Sequence, residues 1–158
     1  MEIQSSEAGW LLAEIDPLIA QLLRALPETA TVNDDAAQGR IFSSPTAGAD
    51  AETDSDWREN VVPEMREVFQ SHLDIVAADL AGMQEENETF SFSIPAQNGR
   101  AWVHTLNQAR LALGARHDVT EDDTSGRRRR RTNAKTYALM QIDFYGMILS
   151  LLLGQTEL

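Results

Sequence analysis

The sequence predicts an all-α or mostly α protein, with about four main helices in an irregular bundle and at most one short two-stranded β pairing. Apolar residues recur at helical spacing in four stretches. Only residues 89–94 alternate strictly between polar and apolar side chains, as a half-buried strand does. The 158 residues, 42% of them hydrophobic and 24% charged, fit one globular domain with its own core.

The first predicted helix covers residues 10–26. Its apolar positions are Trp10, Leu11, Ile15, Leu18, Ile19, Leu22, Leu23 and Leu26. Pro17 interrupts this stripe, because an interior proline removes a backbone hydrogen bond. We expect either a kink or a short break, in which Asp16 caps a second segment with Pro17 at its first position.

Residues 27–56 lack sustained periodicity and predict a long acidic connection without regular structure, mobile at about residues 43–54. Within it, Ile41 and Phe42 are expected to be held against the core. A second long helix is predicted from residue 55 to residue 84, followed by the strand at 89–94. The expected partner of this strand is the N-terminal segment at residues 2–4, which also alternates weakly.

Two more helices are predicted, at residues 98–115 and 133–153, with a polar connection between them. The main apolar face of the last helix consists of Tyr137, Met140, Phe144, Met147, Ile148, Leu151 and Leu152. Its other side is largely apolar as well. A helix that is apolar nearly all round is either central to the core or part of an interface.

The residues needed for common chemistries do not occur in their usual patterns. The chain has no cysteine, and its three histidines, His72, His104 and His117, lack the spacing of metal ligands. No nucleophile elbow or glycine-rich phosphate loop occurs. The acidic clusters at 85–86 and 121–123 are expected to be solvated. The sequence therefore favours a non-enzymatic protein without metal or cofactor.

Net charge and hydropathy indicate the environment of the protein. The net charge of −12 argues against general binding to nucleic acid, which is itself a polyanion. The N-terminus lacks the pattern of a secretory signal, and the most apolar stretch, residues 139–153, is shorter than the ~20 residues of a membrane span. We therefore expect a cytoplasmic protein that does not contact a membrane.

Basic residues concentrate in one segment of this acidic chain. It contains Arg127, Arg128, Arg129, Arg130 and Arg131, followed by Lys135. Such a run can contact RNA, phosphate or an acidic partner. We favour a solvated connection whose charge is partly offset by the acidic residues at 121–123, because a nucleic-acid footprint usually extends over a whole basic face.

The third predicted helix carries a group of residues at fixed spacing, namely Trp102, Leu106, Asn107, Arg110, Leu111, Leu113, Gly114 and Arg116. This pattern resembles the signature of DUF2017, a bacterial family of unknown function. Asn107 and Arg110 lie near one face of the helix. They either hydrogen-bond a neighbouring element and fix the packing, which we favour, or line a pocket for an anion, a peptide or a substrate.

The leading functional expectation is an interaction or regulatory protein that self-associates, or binds an unidentified protein, through its last helix. The resemblance implies no established activity. It favours a role in proteostasis or regulation over other roles, because in some bacteria genes of the family often lie near that of a Clp-protease adaptor. Two alternatives stay open: an RNA or phosphate contact through the arginine run, and an enzyme with a pocket near Asn107 and Arg110.

Overall fold

The computed structural model describes residues 1–124 and 133–154. Its strands are β1 (Glu2–Ser6), β2 (Gly9–Ile15), β3 (Gln84–Glu86) and β4 (Thr89–Pro95). Its α-helices are α1 (Pro17–Arg24), α2 (Leu26–Ala30), α3 (Asp35–Ile41), α4 (Ala51–Asp56), α5 (Val62–Ala81), α6 (Gly99–Arg116), α7 (Glu121–Thr124) and α8 (Asn133–Gly154). A π-helical turn at Trp57–Val61 joins α4 to α5, and a 3-10 turn at Ala96–Asn98 precedes α6.

The predicted fold class is wrong about the β structure. Four strands, not at most two, form one antiparallel sheet in the order β1-β2-β4-β3. The predicted strand at 89–94 is present as β4. However, the N-terminal segment pairs with β2 rather than with β4. The chain is therefore a mixture of helices and sheet rather than an irregular helical bundle.

The first half of the expected N-terminal helix is strand β2. Leu12 and Ile15 are both buried, although residues three apart point to opposite faces of a regular strand. A register shift between them, with Glu14 at a φ of 51°, turns Ile15 back toward the core. This bulge produces a spacing that looks helical in the sequence. Helix α1 then begins at Pro17, and the Asp16 carboxylate caps it by accepting a hydrogen bond from the Ile19 amide.

Gly9 is required where β2 begins. Its φ is 133°, which residues with a Cβ rarely adopt, and a Cβ built there would lie 2.0 Å from the Ile94 carbonyl oxygen.

The turn between β3 and β4 has Asn87 and Glu88 at φ angles of 51° and 64°. Two consecutive positive φ angles are typical of the tight turns that join antiparallel strands.

The segment at 27–56 is not a connection without regular structure, because it contains α2, α3 and α4. Each of the last two helices begins after an aspartate that accepts backbone hydrogen bonds: Asp34 from Ala37, and Asp50 from Glu52 and Thr53. Such caps satisfy amides that a short helix leaves unpaired. Phe42 is buried, as predicted.

Helix α6 lies at the centre of the molecule and packs against α2, α3, α5 and α8. Its Trp102 and Leu106 are fully buried in the main core, which also includes Leu12, Ile15 and Ile94 from the sheet. A smaller apolar cluster joins α3 to the first half of α5 and includes Val32, Phe42 and Phe69. The predicted helices at 55–84, 98–115 and 133–153 correspond closely to α5 with its preceding turns, α6 and α8.

Candidate functional site

The signature tryptophan joins helices α6 and α5. Trp102 is completely buried, and its indole Nε1 donates a hydrogen bond of 2.9 Å to Oδ2 of Asp79. Asn98 donates to both oxygens of the same carboxylate at 3.1 Å. The Trp102 ring also stacks on Phe92 with a centroid distance of 5.6 Å. These contacts give Trp102 a structural role.

Asn107 and Arg110 do not form one pocket. The Asn107 side chain is exposed and makes no hydrogen bond to the described part of the chain. Arg110 is half-buried, and its Nε donates to the Ile142 carbonyl of α8 at 3.2 Å. A Cβ at Gly146 would lie 3.2 Å from the Arg110 guanidinium carbon, so the missing side chain provides space for it. This arrangement supports a packing role for Arg110.

The last signature arginine secures the end of α6. Arg116 donates to the carbonyl oxygens of Thr29 and Thr31 at 2.7 and 2.6 Å. It also forms an ion pair of 2.8 Å with Asp34. The hydrogen bond from Arg116 lowers the pKa of the Asp34 carboxyl, with a smaller contribution from the Ala37 amide. Arg116 thus satisfies carbonyls at the end of α2 and holds the start of α3 near α6.

The other signature residues provide apolar packing or surface. Leu106 and Leu113 are buried, whereas Leu111 and Gly114 are half-exposed. A Cβ at Gly114 would meet no described atom within 4 Å, so the structure does not explain why glycine stands there.

Two histidines that are distant in the sequence meet between α5 and α6. The rings of His72 and His104 stack with a centroid distance of 4.8 Å. Nδ1 of His72 is buried without a hydrogen-bond partner in the described residues. Burial lowers the pKa of His72, and the neighbouring His104 and Arg100 lower it further. His72 and His104 lie 32 residues apart in the sequence, and this spacing did not predict the contact, which depends on how α5 and α6 pack.

No group of three potential metal ligands occurs within residues 1–124 and 133–154. His117 follows α6 and lines a groove beside Arg116, away from the stacked pair. Glu85 and Glu86 are exposed on β3, in keeping with a solvated surface. The principal grooves over the described residues have linings that include neither Asn107 nor Arg110.

The basic segment is only partly within the described residues. Arg127, Arg128, Arg129, Arg130 and Arg131 lie outside them.

Lys135, the remaining member of the basic segment, forms an ion pair of 2.9 Å with Oδ2 of Asp123. It also donates to the Asp118 carbonyl. The Asp123 side chain is fully buried rather than solvated, and its pKa is lowered to about 2 by the hydrogen bond from Lys135 and by the Thr120 amide. Asp123 and Lys135 therefore link α7 to the first turn of α8.

Helix α8 has one buried side and one exposed apolar stripe. The buried side packs on the core through Leu139, Ile142, Tyr145, Ile148 and Leu152. On the opposite side Tyr137, Met140 and Met147 are 44%, 40% and 45% exposed. The half-buried Leu151 lies in the same row at helical spacing. Phe144, between Met140 and Met147 in the sequence, is only 8% exposed and belongs to the main core. We call Tyr137, Met140, Met147 and Leu151 the α8 stripe.

By length and composition alone, the segment Ala134–Gly154 could also cross a membrane. Its most apolar window is 44% buried within the protein, however, and the core helix of a soluble protein passes the same criteria.

The family model described as "Domain of unknown function (DUF2017)" matches residues 4–155. No curated protein and no solved structure matches the chain.

Proposed function

The chain belongs to the DUF2017 family, and we propose that it is a non-enzymatic interaction protein that self-associates through the α8 stripe. The observation that carries this proposal is the exposure of three large apolar side chains, Tyr137, Met140 and Met147, on one face of a helix whose other face is core. Contiguous exposed apolar surface of this kind is typical of protein–protein contacts.

The charge distribution supports a second copy of the chain as the partner. Two copies, each with a net charge of −12, repel one another over most of their surfaces. Helix α8 carries only two charged side chains in 22 residues, Lys135 and Asp143. Lys135 is already paired with Asp123. The α8 stripe is therefore a surface on which two copies can meet with little electrostatic repulsion.

The side chains of the stripe also suit an interface core. Aromatic residues and methionine are enriched at such positions, and methionine adapts its shape to the surface that it meets. Met140 and Met147 lie two helical turns apart on the exposed side of α8, so a facing helix can contact both residues.

Sedimentation velocity on the purified full chain tests this proposal. We expect a dimer for the wild type and a monomer for the double variant Met140→Lys/Met147→Lys, because the interface would have to desolvate two ammonium groups from each copy. Leu18→Lys is a control, since Leu18 is 55% exposed on α1 and does not belong to the stripe, and this variant should remain dimeric. Circular dichroism checks that each variant is folded. A monomeric wild type at micromolar concentrations would contradict the proposal.

A further inference from the structure

A groove of about 310 Å³ opens between the smaller apolar cluster and α6. Its walls come from the segment after α2, the end of α3, and α5, with one residue of α6 at its base. The lining residues that the proposal uses are Phe42, Arg66, Glu67, Phe69, Leu73 and Gln108. This groove shares no residue with the α8 stripe.

The groove has a fixed aromatic wall. Phe42 stacks on Phe69 with a centroid distance of 5.6 Å. The Phe42 carbonyl accepts a hydrogen bond of 3.0 Å from Nε1 of Trp57, which holds the end of α3 against the turn before α5. Leu73 and Phe42 are buried beneath this wall, at 6% and 9% exposed, and Phe69 is half-buried. An apolar group lying on this wall would be removed from water without rearrangement of the protein.

Arg66 supplies a positive charge at the rim of the groove. Its guanidinium lies 4.5 Å from the centroid of the Phe42 ring and donates one hydrogen bond, of 3.2 Å, to the Val32 carbonyl. No carboxylate in the described part of the chain is within ion-pair distance of it. A guanidinium has five N–H donors, so most of those on Arg66 are available to a ligand. The two fixed contacts orient the group for bidentate binding of a carboxylate.

Gln108 supplies an acceptor at the base of the groove. The residue is 7% exposed, and its Nε2 donates to the Ala30 carbonyl at the end of α2. Its Oε1 accepts no hydrogen bond from the described residues, and this oxygen keeps some exposure to solvent, as expected for an atom that lines the groove. An unpaired acceptor at such a depth favours a ligand that brings an N–H or O–H donor.

We propose that this groove binds an N-acylated α-amino carboxylate with an apolar or aromatic side chain. The carboxylate pairs with Arg66, the amide N–H donates to Oε1 of Gln108, and the side chain lies against Phe69 and the small exposed part of Phe42. The same chemistry occurs in a free acyl amino acid and at the C-terminus of a peptide. Glu67 at the rim and the net charge of −12 repel anions, most strongly those of higher charge. Recognition of a single carboxylate therefore depends on these short-range contacts.

Titration with N-acetyl-L-phenylalanine, followed by ¹H–¹⁵N NMR on the full chain, tests the proposal. We expect saturable shifts confined to the groove residues and a dissociation constant of about 0.1 to 1 mM, as for a ligand of this size. The uncharged probe N-acetyl-L-phenylalanine amide should bind at least about tenfold more weakly, because it lacks the carboxylate. This comparison uses the unaltered protein and does not depend on the folding of any variant.

Arg66→Gln should weaken binding of N-acetyl-L-phenylalanine about tenfold, whereas Arg58→Gln, an equal charge change on the π-helical turn, should leave it unchanged. Shifts that do not saturate, equal affinity for acid and amide, or no effect of Arg66→Gln would overturn the proposal. A tetrapeptide ending in phenylalanine separates the two sources. Affinity equal to that of N-acetyl-L-phenylalanine supports a peptide C-terminus, and affinity at least about tenfold weaker supports a free acyl amino acid.

Discussion

The Trp102 indole donates a hydrogen bond of 2.9 Å to the Asp79 carboxylate, which joins the signature helix to α5. Trp102 is fully buried, whereas Asp79 is half-buried and also accepts from Asn98. A single carboxylate therefore satisfies a buried indole and orients the start of α6. Stability, rather than chemistry, is the property that this contact controls.

Replacement of Asp79 should destabilise the fold. Asp79→Ala leaves the Trp102 Nε1 in the core without an acceptor, and we expect the free energy of unfolding to fall by about 1 to 3 kcal/mol. Urea denaturation followed by tryptophan fluorescence measures this change. Asp74→Ala, which removes an exposed carboxylate bonded to Gln70 on the same helix, is the control and should change stability by less than about 0.5 kcal/mol. Equal effects of the two variants would contradict the structural role of Asp79.

Arg110 and Gly146 should be energetically coupled. In the wild type, Gly146→Ala places a Cβ 3.2 Å from the guanidinium, and this crowding opposes the gain of about 1 kcal/mol that alanine brings to a helix. In an Arg110→Ala background the crowding disappears, so Gly146→Ala should be stabilising. Urea denaturation of the wild type, both single variants and the double variant gives the coupling energy, which we expect to be about 0.5 to 3 kcal/mol. Additive effects would show that the two residues act independently.

The stacked histidines should make stability depend on pH below neutrality. The pKa of His72 is lowered from its ordinary 6.5 in the folded protein, mainly by burial and then by the nearby His104 and Arg100. The unfolded chain therefore binds this proton more readily than the folded chain does. The stability contributed by neutral His72 is fully present above pH 6.5 and is lost as the pH falls from there through the lower pKa of the folded state.

Urea denaturation between pH 7.5 and pH 5.5 (roughly one unit either side of the ordinary histidine pKa) measures this dependence. His72→Gln should reduce the slope of stability against pH, and His104→Gln should reduce it partly, because the charge of His104 is one of its causes. His117→Gln serves as the control, since His117 lies beyond the end of α6 and takes no part in the stack. An unchanged slope in His72→Gln would contradict the assignment.

The long helices and the break at Pro17 were predictable because their causes are local. Apolar periodicity marks α5, α6 and α8, and the pair Asp16–Pro17 carries the cap and the first position of α1. The signature on α6 likewise identified the family from residues within about four turns of helix, and the family match over residues 4–155 confirms it.

The sheet was missed because its strands depend on partners that are distant in the sequence. β3 is entirely polar, and β1 has a single apolar residue, Ile3, so that its alternation is weak. Pairing with β4 and β2, respectively, makes these two segments strands. In β2, the bulge before Ile15 imitates helical spacing. Short segments of this kind cannot be assigned from periodicity alone.

The candidate sites were also predictable only in part from the sequence. The sequence indicated that α8 has more apolar surface than one core-facing side requires. Only the tertiary structure decided which side is buried, and it left Tyr137, Met140 and Met147 exposed although they were assigned to the main face. Similarly, the His72–His104 stack and the groove between Arg66 and Gln108 each combine residues from different helices. Spacing along the chain determined the helices, the family and the apolar residues of α8. Packing between elements decided which of those residues stay exposed and which residues of different helices meet, because such contacts join residues that no local pattern relates.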